Sequence, residues 1–224
     1  MLHKDYDITI FEKAKTIGGH SHSVNIGTEE NPAFVDMGFI VFNEPCYPNL
    51  VALFKEIGVQ HELSNMSFGV SSDEGNLEYS SLNIFAQKRN YLRPRFLKLL
   101  LDIVKFYKSA PLENAIYSDD YSLGEYLKDK NYSQSFIDDH LVPQAAAIWS
   151  TSAVKILDYP FNAFMRFFNN HGLLELDLEK RIKWRTITNG SQAYVEKLIA
   201  PFKHKIICDC EIIRAKRVDN KLHL

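Results

Sequence analysis

The sequence predicts an α/β chain with a mainly helical segment set into it. Two observations predict this class. Short apolar runs of strand character, broken by turn residues and well-punctuated helices, fill residues 1–80 and return in 183–224. Residues 81–182 carry helical periodicity instead. This order is that of one domain inserted into another. No internal repeat is present.

The elements follow in order. Asp7-Ile8-Thr9-Ile10-Phe11 reads as a short buried strand ended by Glu12, and Ile17-Gly18-Gly19-His20 turns the chain. Ser23-Val24-Asn25-Ile26 fits a second strand. The apolar run 33–42 fits a third, with Gly38 marking a bend or the close approach of another backbone or a ligand. A helix is predicted over 47–57. Pro48 suits its first turn and Gly58 the left-handed position after its last, while Leu50, Leu53, Phe54 and Ile57 form one face. Residues 66–72 and 76–80 predict a hairpin turning on Ser72-Asp73-Glu74-Gly75.

Residues 94–107 predict an amphipathic helix. Phe96, Leu99, Leu100, Ile103 and Tyr107 share one face, and Arg95, Lys98, Lys105 and Lys108 the polar one. Such a basic face is either solvated or laid on a membrane surface. Ser122-Leu123-Gly124-Glu125 is a capping box that opens another helix, and 133–149 and 161–169 complete the helical stretch. Then come a strand at 183–187, a helix at 191–199, and strands at 205–208 and 211–217. Asp219-Asn220 reads as a hairpin turn into a return strand begun by residues 221–224.

Composition narrows the function classes. The 224 residues hold 26 Lys and Arg against 28 Asp and Glu, a net charge of −2. That balance argues against a nucleic-acid partner, which would call for a basic surplus. A hydrophobic fraction of 46% with 24% charged residues fits a globular chain. No apolar run approaches the ~18 residues of a membrane helix, and residues 1–7 show no signal-peptide core. Three cysteines make no disulfide framework. Cys208 and Cys210 share a strand face and Cys46 sits in a loop. They read as small apolar residues of a reducing compartment, which points to a cytoplasmic address. His20 and His22 could share a metal on a strand, but a third ligand is not evident, so no metal is expected.

The chemistry concentrates at residues 8–20. A strand that ends in an acid is the second strand of a dinucleotide-binding βαβ unit, where the carboxylate takes hydrogen bonds from a ribose hydroxyl pair. Glu12 fits that place. Gly18-Gly19 lets a backbone pass close to a bound cofactor with no Cβ in the way. The Gly-x-Gly-x-x-Gly loop that belongs ~20 residues before the acid is not among the eleven residues preceding Glu12.

The run Phe11-Glu12-Lys13-Ala14-Lys15-Thr16-Ile17-Gly18-Gly19-His20-Ser21-His22 resembles the second-strand motif of flavin amine oxidases and phytoene desaturases. The likeness continues in Val35-Asp36-Met37-Gly38-Phe39-Ile40-Val41-Phe42-Asn43-Glu44, Tyr47-Pro48-Asn49-Leu50 and Ala146-Ala147-Ile148-Trp149-Ser150. It extends through Asn170-His171-Gly172-Leu173-Leu174 and Asn189-Gly190-Ser191-Gln192-Ala193-Tyr194-Val195. As a set these blocks resemble a bacterial branch of the flavin-containing amine oxidase superfamily, the predicted NAD/FAD-binding proteins.

The resemblance implies an FAD-dependent oxidoreductase. Its fold would be an incomplete Rossmann-like FAD/NAD(P)-binding domain, residues 1–80 and 183–224, with an inserted, largely helical substrate domain at 81–182. By position, Glu12 would bind the adenosine ribose, and Gly18, Gly19 and His20 would line the cofactor loop. Gly38, Phe39 and Ile40 would lie beside the isoalloxazine ring, and Ile212 would meet adenine. Thr16 stands where many relatives carry arginine. The resemblance also implies a small-molecule substrate, of lipid-like character in this branch, and an internal piece of a longer protein. On that view the edge formed by Ile8, Ile10 and Phe11 would be uncovered.

Other readings stay open at the level of sequence. The chain alone could be a non-catalytic product that binds no flavin, or a membrane-surface module. His171 is either a proton shuttle or a helix-ending residue before Gly172. Trp149, Phe164, Phe167 and Phe168 either wall a substrate tunnel or pack a core. No catalytic residue is nominated, because a flavin takes the hydride itself.

Overall fold

The computed structural model describes residues 2–113, 116–219 and 221–223. Its strands are short: β1 Ile10–Phe11, β2 Ser23–Asn25, β3 Phe34–Asp36, β4 His61–Leu63, β5 Gly69–Ser72, β6 Leu77–Ser80, β7 Arg185–Ile187, β8 Ile206–Ile207, β9 Lys216–Val218 and β10 Lys221–His223. Among the described residues they form two-stranded sheets. β1 pairs with β8 in parallel, while β2 with β3, β4 with β7, β5 with β6 and β9 with β10 are antiparallel. The helices are α1 Pro48–Ile57, α2 Pro94–Glu113, α3 Leu123–Asp129, α4 Gln134–Phe136, α5 Val142–Trp149, α6 Ala153–Leu157, α7 Phe161–Asn170 and α8 Gln192–Ile199. A π turn, Ile137–Leu141, joins α4 to α5. The chain divides into two compact units, Met1–Ser64 with Lys183–Leu224, and Asn65–Ile182.

In the first unit, α1 begins with Pro48 in its first turn and ends on Gly58 at φ 68°, whose N–H is donated to the Phe54 carbonyl. It packs Phe54 edge-on against the fully buried Phe42 at a centroid distance of 5.2 Å. A second small core joins Val195 and Ile199 of α8 to Phe202.

Several strands are shorter than their sequence patterns predict, and three of them show why. β1 holds two residues. Ile8 and Ile10 are half-buried against the Val195, Ile199 and Phe202 cluster rather than uncovered, while Phe11 is exposed. The run 33–42 is not one strand, because β3 stops at Asp36 and the chain bends at Gly38; Phe42 alone pairs again, opposite Arg185. Residues 211–215 are irregular, because Asp209 at φ 54° turns the chain so that the Cys210 N–H reaches the Glu12 carbonyl. At the C-terminal hairpin, β9 and β10 pair as the turn predicts, with His223 opposite Lys216; Asn220 and Leu224 lie outside the described residues.

The second unit is built around one large core. α2 buries Phe96, Leu99, Ile103, Phe106 and Ala110, the i, i+3, i+4 face of an amphipathic helix. The β5–β6 hairpin turns through Asp73, Glu74 and Gly75, all at positive φ, and buries Val70, Leu77 and Tyr79 in that core. α3 is capped as its sequence dictates. Glu125 N–H is donated to Ser122 Oγ at 3.2 Å, and Ser122 N–H to Glu125 Oε2 at 2.8 Å. Phe164 and Phe168 of α7 are fully buried, and Trp149 and Phe167 pack against them as half-buried rings.

The π turn has a covalent cause. In an α-helix the Asp139 carbonyl would accept from residue 143, but that residue is Pro143, which has no N–H and crowds the carbonyl four residues back. The orphaned carbonyl instead accepts from Tyr79 Oη at 2.7 Å. Because the Tyr79 proton is spent there, its oxygen accepts from His140 Nδ1–H at 2.9 Å. His140 Nε2 is then the acceptor for Tyr107 Oη at 3.1 Å. Burial pushes the His140 pKa down to about 3 and the Tyr107 hydroxyl up to about 12, so the imidazole stays neutral and the phenol stays a donor. Nearby, burial pushes the Asp102 carboxyl up, but hydrogen bonds from Ser133 and Lys98 outweigh it and hold the group below the usual carboxylate range.

His140 therefore ties stability to pH. The unfolded chain binds a proton on this imidazole near its ordinary value of about 6.5, and the folded chain does not until about pH 3. The stability is complete above that ordinary value and declines as pH falls, by up to about 1.4 kcal/mol per pH unit. Asp102 adds a loss only in the lower carboxylate range. In urea titrations stepped from neutral to mildly acid pH, a His140→Gln variant should show a flatter dependence than the parent. Equal slopes would rule out His140 as the source.

Candidate functional site

The predicted site residues all lie in the first unit. Glu12 continues the pairing of β1, donating its N–H to the Ile207 carbonyl at 2.9 Å, while its own carbonyl accepts from Cys210 at 2.9 Å. Its carboxylate Oε1 accepts from Ala14 N–H at 2.8 Å. That short turn holds the acid at the C-terminal end of the strand. Lys13 Nζ meets Glu211 Oε1 at 2.6 Å on the same edge, so residues 209–211 run beside Glu12. Ile212 follows with an exposed side chain.

The glycine turn closes with Ser21 N–H donated to the Gly18 carbonyl at 3.0 Å. Its two glycines differ. A Cβ on Gly18, at φ 135°, would sit 2.8 Å from the Ser21 carbonyl oxygen and 3.5 Å from Val195. A Cβ on Gly19, at φ 57°, would meet no atom of the chain within 4 Å. His20 is exposed, and its carbonyl accepts from Phe39 N–H at 2.8 Å. A Cβ on Gly38 would lie 2.5 Å from that same carbonyl oxygen. The structure thus brings 18–20 and 38–40 together, backbone against backbone. Phe39 turns inward, edge-on to Tyr194 at 6.1 Å. The Ile40 side chain is exposed, and its carbonyl accepts from Thr186 Oγ1 at 2.9 Å.

A second set of residues, to which the sequence alone assigns no role in the site, holds this arrangement. Asp36 Oδ1 accepts from Ser23 Oγ at 2.6 Å, Ser191 N–H at 2.7 Å and Ser191 Oγ at 2.8 Å. Ser23 Oγ in turn accepts from Gln192 N–H at 3.0 Å. Gln192 Nε2 donates to the Ile17 carbonyl at 3.1 Å, and Tyr194 Oη meets Ser21 Oγ at 2.5 Å. One signal for Asp36 was available: a carboxylate inside an apolar run must find donors. In the second unit, His171 ends α7, with Nδ1 2.9 Å from the Phe167 carbonyl and its ring stacked on Phe167 at 4.0 Å.

Removing the carboxylate should unfasten α8. Ser191 is fully buried, so Asp36→Ala leaves its N–H unsatisfied and its hydroxyl with only the 3.5 Å contact to Ser23 Oγ. At about 1–3 kcal/mol for each such group, a loss of about 3 kcal/mol is expected, with amide exchange in α8 accelerating first. Gly38→Ala should also destabilise, by about 2 kcal/mol or more, because backbone must move off the His20 carbonyl. Denaturant midpoints unchanged from the parent in both variants would contradict this arrangement.

Comparison with known proteins adds to this geometry. The family model described as flavin containing amine oxidoreductase matches residues 1–194. Solved structures of putrescine oxidase share the fold. A triple mutant from a structure-based redesign of cofactor binding matches with TM-score 0.61 and 12% identity, over 99% of this chain and 49% of that one. The wild type bound to putrescine matches with TM-score 0.56 and 11% identity, over 93% and 46%. The chain therefore spans about half the length of the solved structures it matches. No curated protein gives a significant match. The extent of the family match, 194 of 224 residues, establishes that the chain belongs to the flavin containing amine oxidoreductases.

Proposed function

We propose that the chain is part of an FAD-dependent oxidoreductase that removes a hydride from a small apolar, lipid-like substrate in the cytoplasm. Residues 1–80 and 183–224 would serve the FAD-binding domain and 81–182 the substrate domain. The family implies a flavin cofactor, and one observation supports its place: the open space beside Gly19, where the Gly18–His20 turn lies against Gly38. A loop with positive φ and no side chain lets a ligand approach its backbone.

The bound cofactor would supply the hydride acceptor. The chain's own residues would position it. Glu12, anchored at the end of β1, offers a carboxylate to the ribose hydroxyls. Gly18, Gly19 and His20 would line the loop, Gly38, Phe39 and Ile40 would flank the ring, and Ile212 would meet adenine. The substrate class has separate support within the second unit. A cleft of about 620 Å³ there is lined by Leu77, Leu92, Pro94, Phe96 and Leu99 together with Ser72, Asp73, Arg93, Arg95 and Asp139. That size and mixed lining suit a small molecule with an apolar body and a polar end. The three free thiols accord with a reducing compartment.

Titration with FAD and FMN tests the reading, because FMN lacks the adenosine. FAD should bind the tighter of the two. Glu12→Ala should weaken FAD by about tenfold or more, the worth of a charge-assisted hydrogen bond, and leave FMN unchanged. Gly19→Asn should weaken both flavins while the thermal midpoint shifts only slightly, since asparagine adopts φ 57° at modest cost and its side chain enters open space. Equal affinity for the two flavins, or indifference to Glu12→Ala, would overturn the assignment. Binding of neither would favour the reading in which this chain holds no flavin by itself.

A further inference from the structure

We propose that the solvent-facing side of α2, with the segment leading into it, is a docking surface for an anionic lipid bilayer. The proposal goes beyond the flavin reading and does not rest on it. α2 is apolar on two opposite sides. One side is the core face described above. The other carries Leu97, Leu101, Val104 and Leu112, all exposed, with Leu101 at 67% and Leu112 at 82%. With Lys108 these residues fall within about 80° of helical arc, a stripe running most of the helix length. Leu92, 88% exposed, stands just before the helix and also walls the cleft. Single exposed leucines are ordinary; a continuous row of them marks a binding surface.

Charge selects the occupant. Residues 88–113 contain seven of the chain's 26 Lys and Arg and only two of its 28 Asp and Glu, a net charge of +5 along this run in a chain of −2, with Arg95 paired to Asp139 outside the run. Of the two acids, Asp102 is buried. Arg89 and Arg93 donate to backbone carbonyls of Gly75 and Asn76 and so keep their full charge. Lys88 and Lys108 are exposed. An apolar stripe beside cations suits a bilayer surface. Leucines enter the headgroup boundary while lysines meet anionic headgroups, each adding attraction that falls off within a Debye length. A nucleic acid would satisfy the cations but leave the leucines in water. Among the described residues no helix is long and apolar enough to cross a membrane, so the contact proposed lies on the surface.

Co-flotation of the full chain tests this, using vesicles of phosphatidylcholine alone and of phosphatidylcholine with phosphatidylserine. Flotation is expected with the anionic vesicles only. It should fall about tenfold in ~0.5 M NaCl, where the screening length shrinks to a few ångströms. Leu101→Glu combined with Leu112→Glu should abolish it with the circular dichroism and melting midpoint unchanged, since neither side chain is buried. Should that variant misfold, Lys88→Glu combined with Lys108→Glu should also abolish it. No flotation, equal flotation with both vesicles, or flotation that survives both pairs would overturn the proposal. So would a concentration-dependent dimer dispersed by the leucine substitutions, or oligonucleotide binding that survives them.

Discussion

One oxygen, Asp36 Oδ1, decides the geometry of the first unit. Three donors converge on it, two of them from Ser191, which is fully buried. α8 is only eight residues long, too short to hold as an isolated helix, so its position depends on what it packs against and on what fastens its first turn. The carboxylate supplies that fastening and joins it to the β2–β3 hairpin. Consequences run outward from there. Val195 and Gln192 close over Gly18, Tyr194 meets Ser21, and the end of β3 carries the chain to Gly38 and the His20 carbonyl. A half-buried carboxyl group that gathers three donors thereby sets the backbone that the flavin reading uses.

The second unit answers the same constraint with different chemistry. Pro143 takes away a donor, and the fold supplies Tyr79 in its place. Each hydroxyl or imidazole nitrogen in that chain has one role open to it, so the protonation pattern is determined by geometry. The cost of this arrangement is a histidine that folding forbids from charging. Asp36 and His140 thus show two ways of satisfying a polar side chain. The first is half-buried and gathers three donors; the second is buried, neutral and placed between a donor and an acceptor.

Helix ends were legible in the sequence because their causes are local. Pro48, Gly58 and the Ser122–Glu125 box act within one turn. Strand lengths in the first unit were not, because their partners are remote. Ile10 pairs with Ile206, and whether a third or fourth residue joins depends on Asp209 turning the chain. Composition changes character after residue 80, while the compact second unit begins at Asn65, because the alternation in the β5–β6 hairpin shows which side is buried but not against what. Of the candidate site, Glu12 and the glycines stood out by type and spacing. Asp36 and Ser191 did not, since one lay inside an apolar run and the other merely opened a helix; their meeting spans most of the chain. Pro143 was readable in hindsight, for a proline inside a helical run always frees a carbonyl.

The glycines separate structural necessity from ligand binding. A glycine is informative about a ligand only when the chain itself gives no reason for it. Gly38 has a reason: a Cβ there would strike the His20 carbonyl oxygen at 2.5 Å. Gly18 has one too, between the Ser21 carbonyl and Val195 of α8. Both would be needed in a protein that bound nothing. Gly19 differs. Its φ of 57° is one that asparagine or aspartate also visits at modest cost, and a side chain there would project into empty space. Folding alone therefore tolerates a replacement at Gly19 far better than at its two partners. A flavin resting against that turn would reverse the order, making Gly19 the least replaceable of the three for binding while it stays the most replaceable for stability. That inversion distinguishes a cofactor loop from a tight turn.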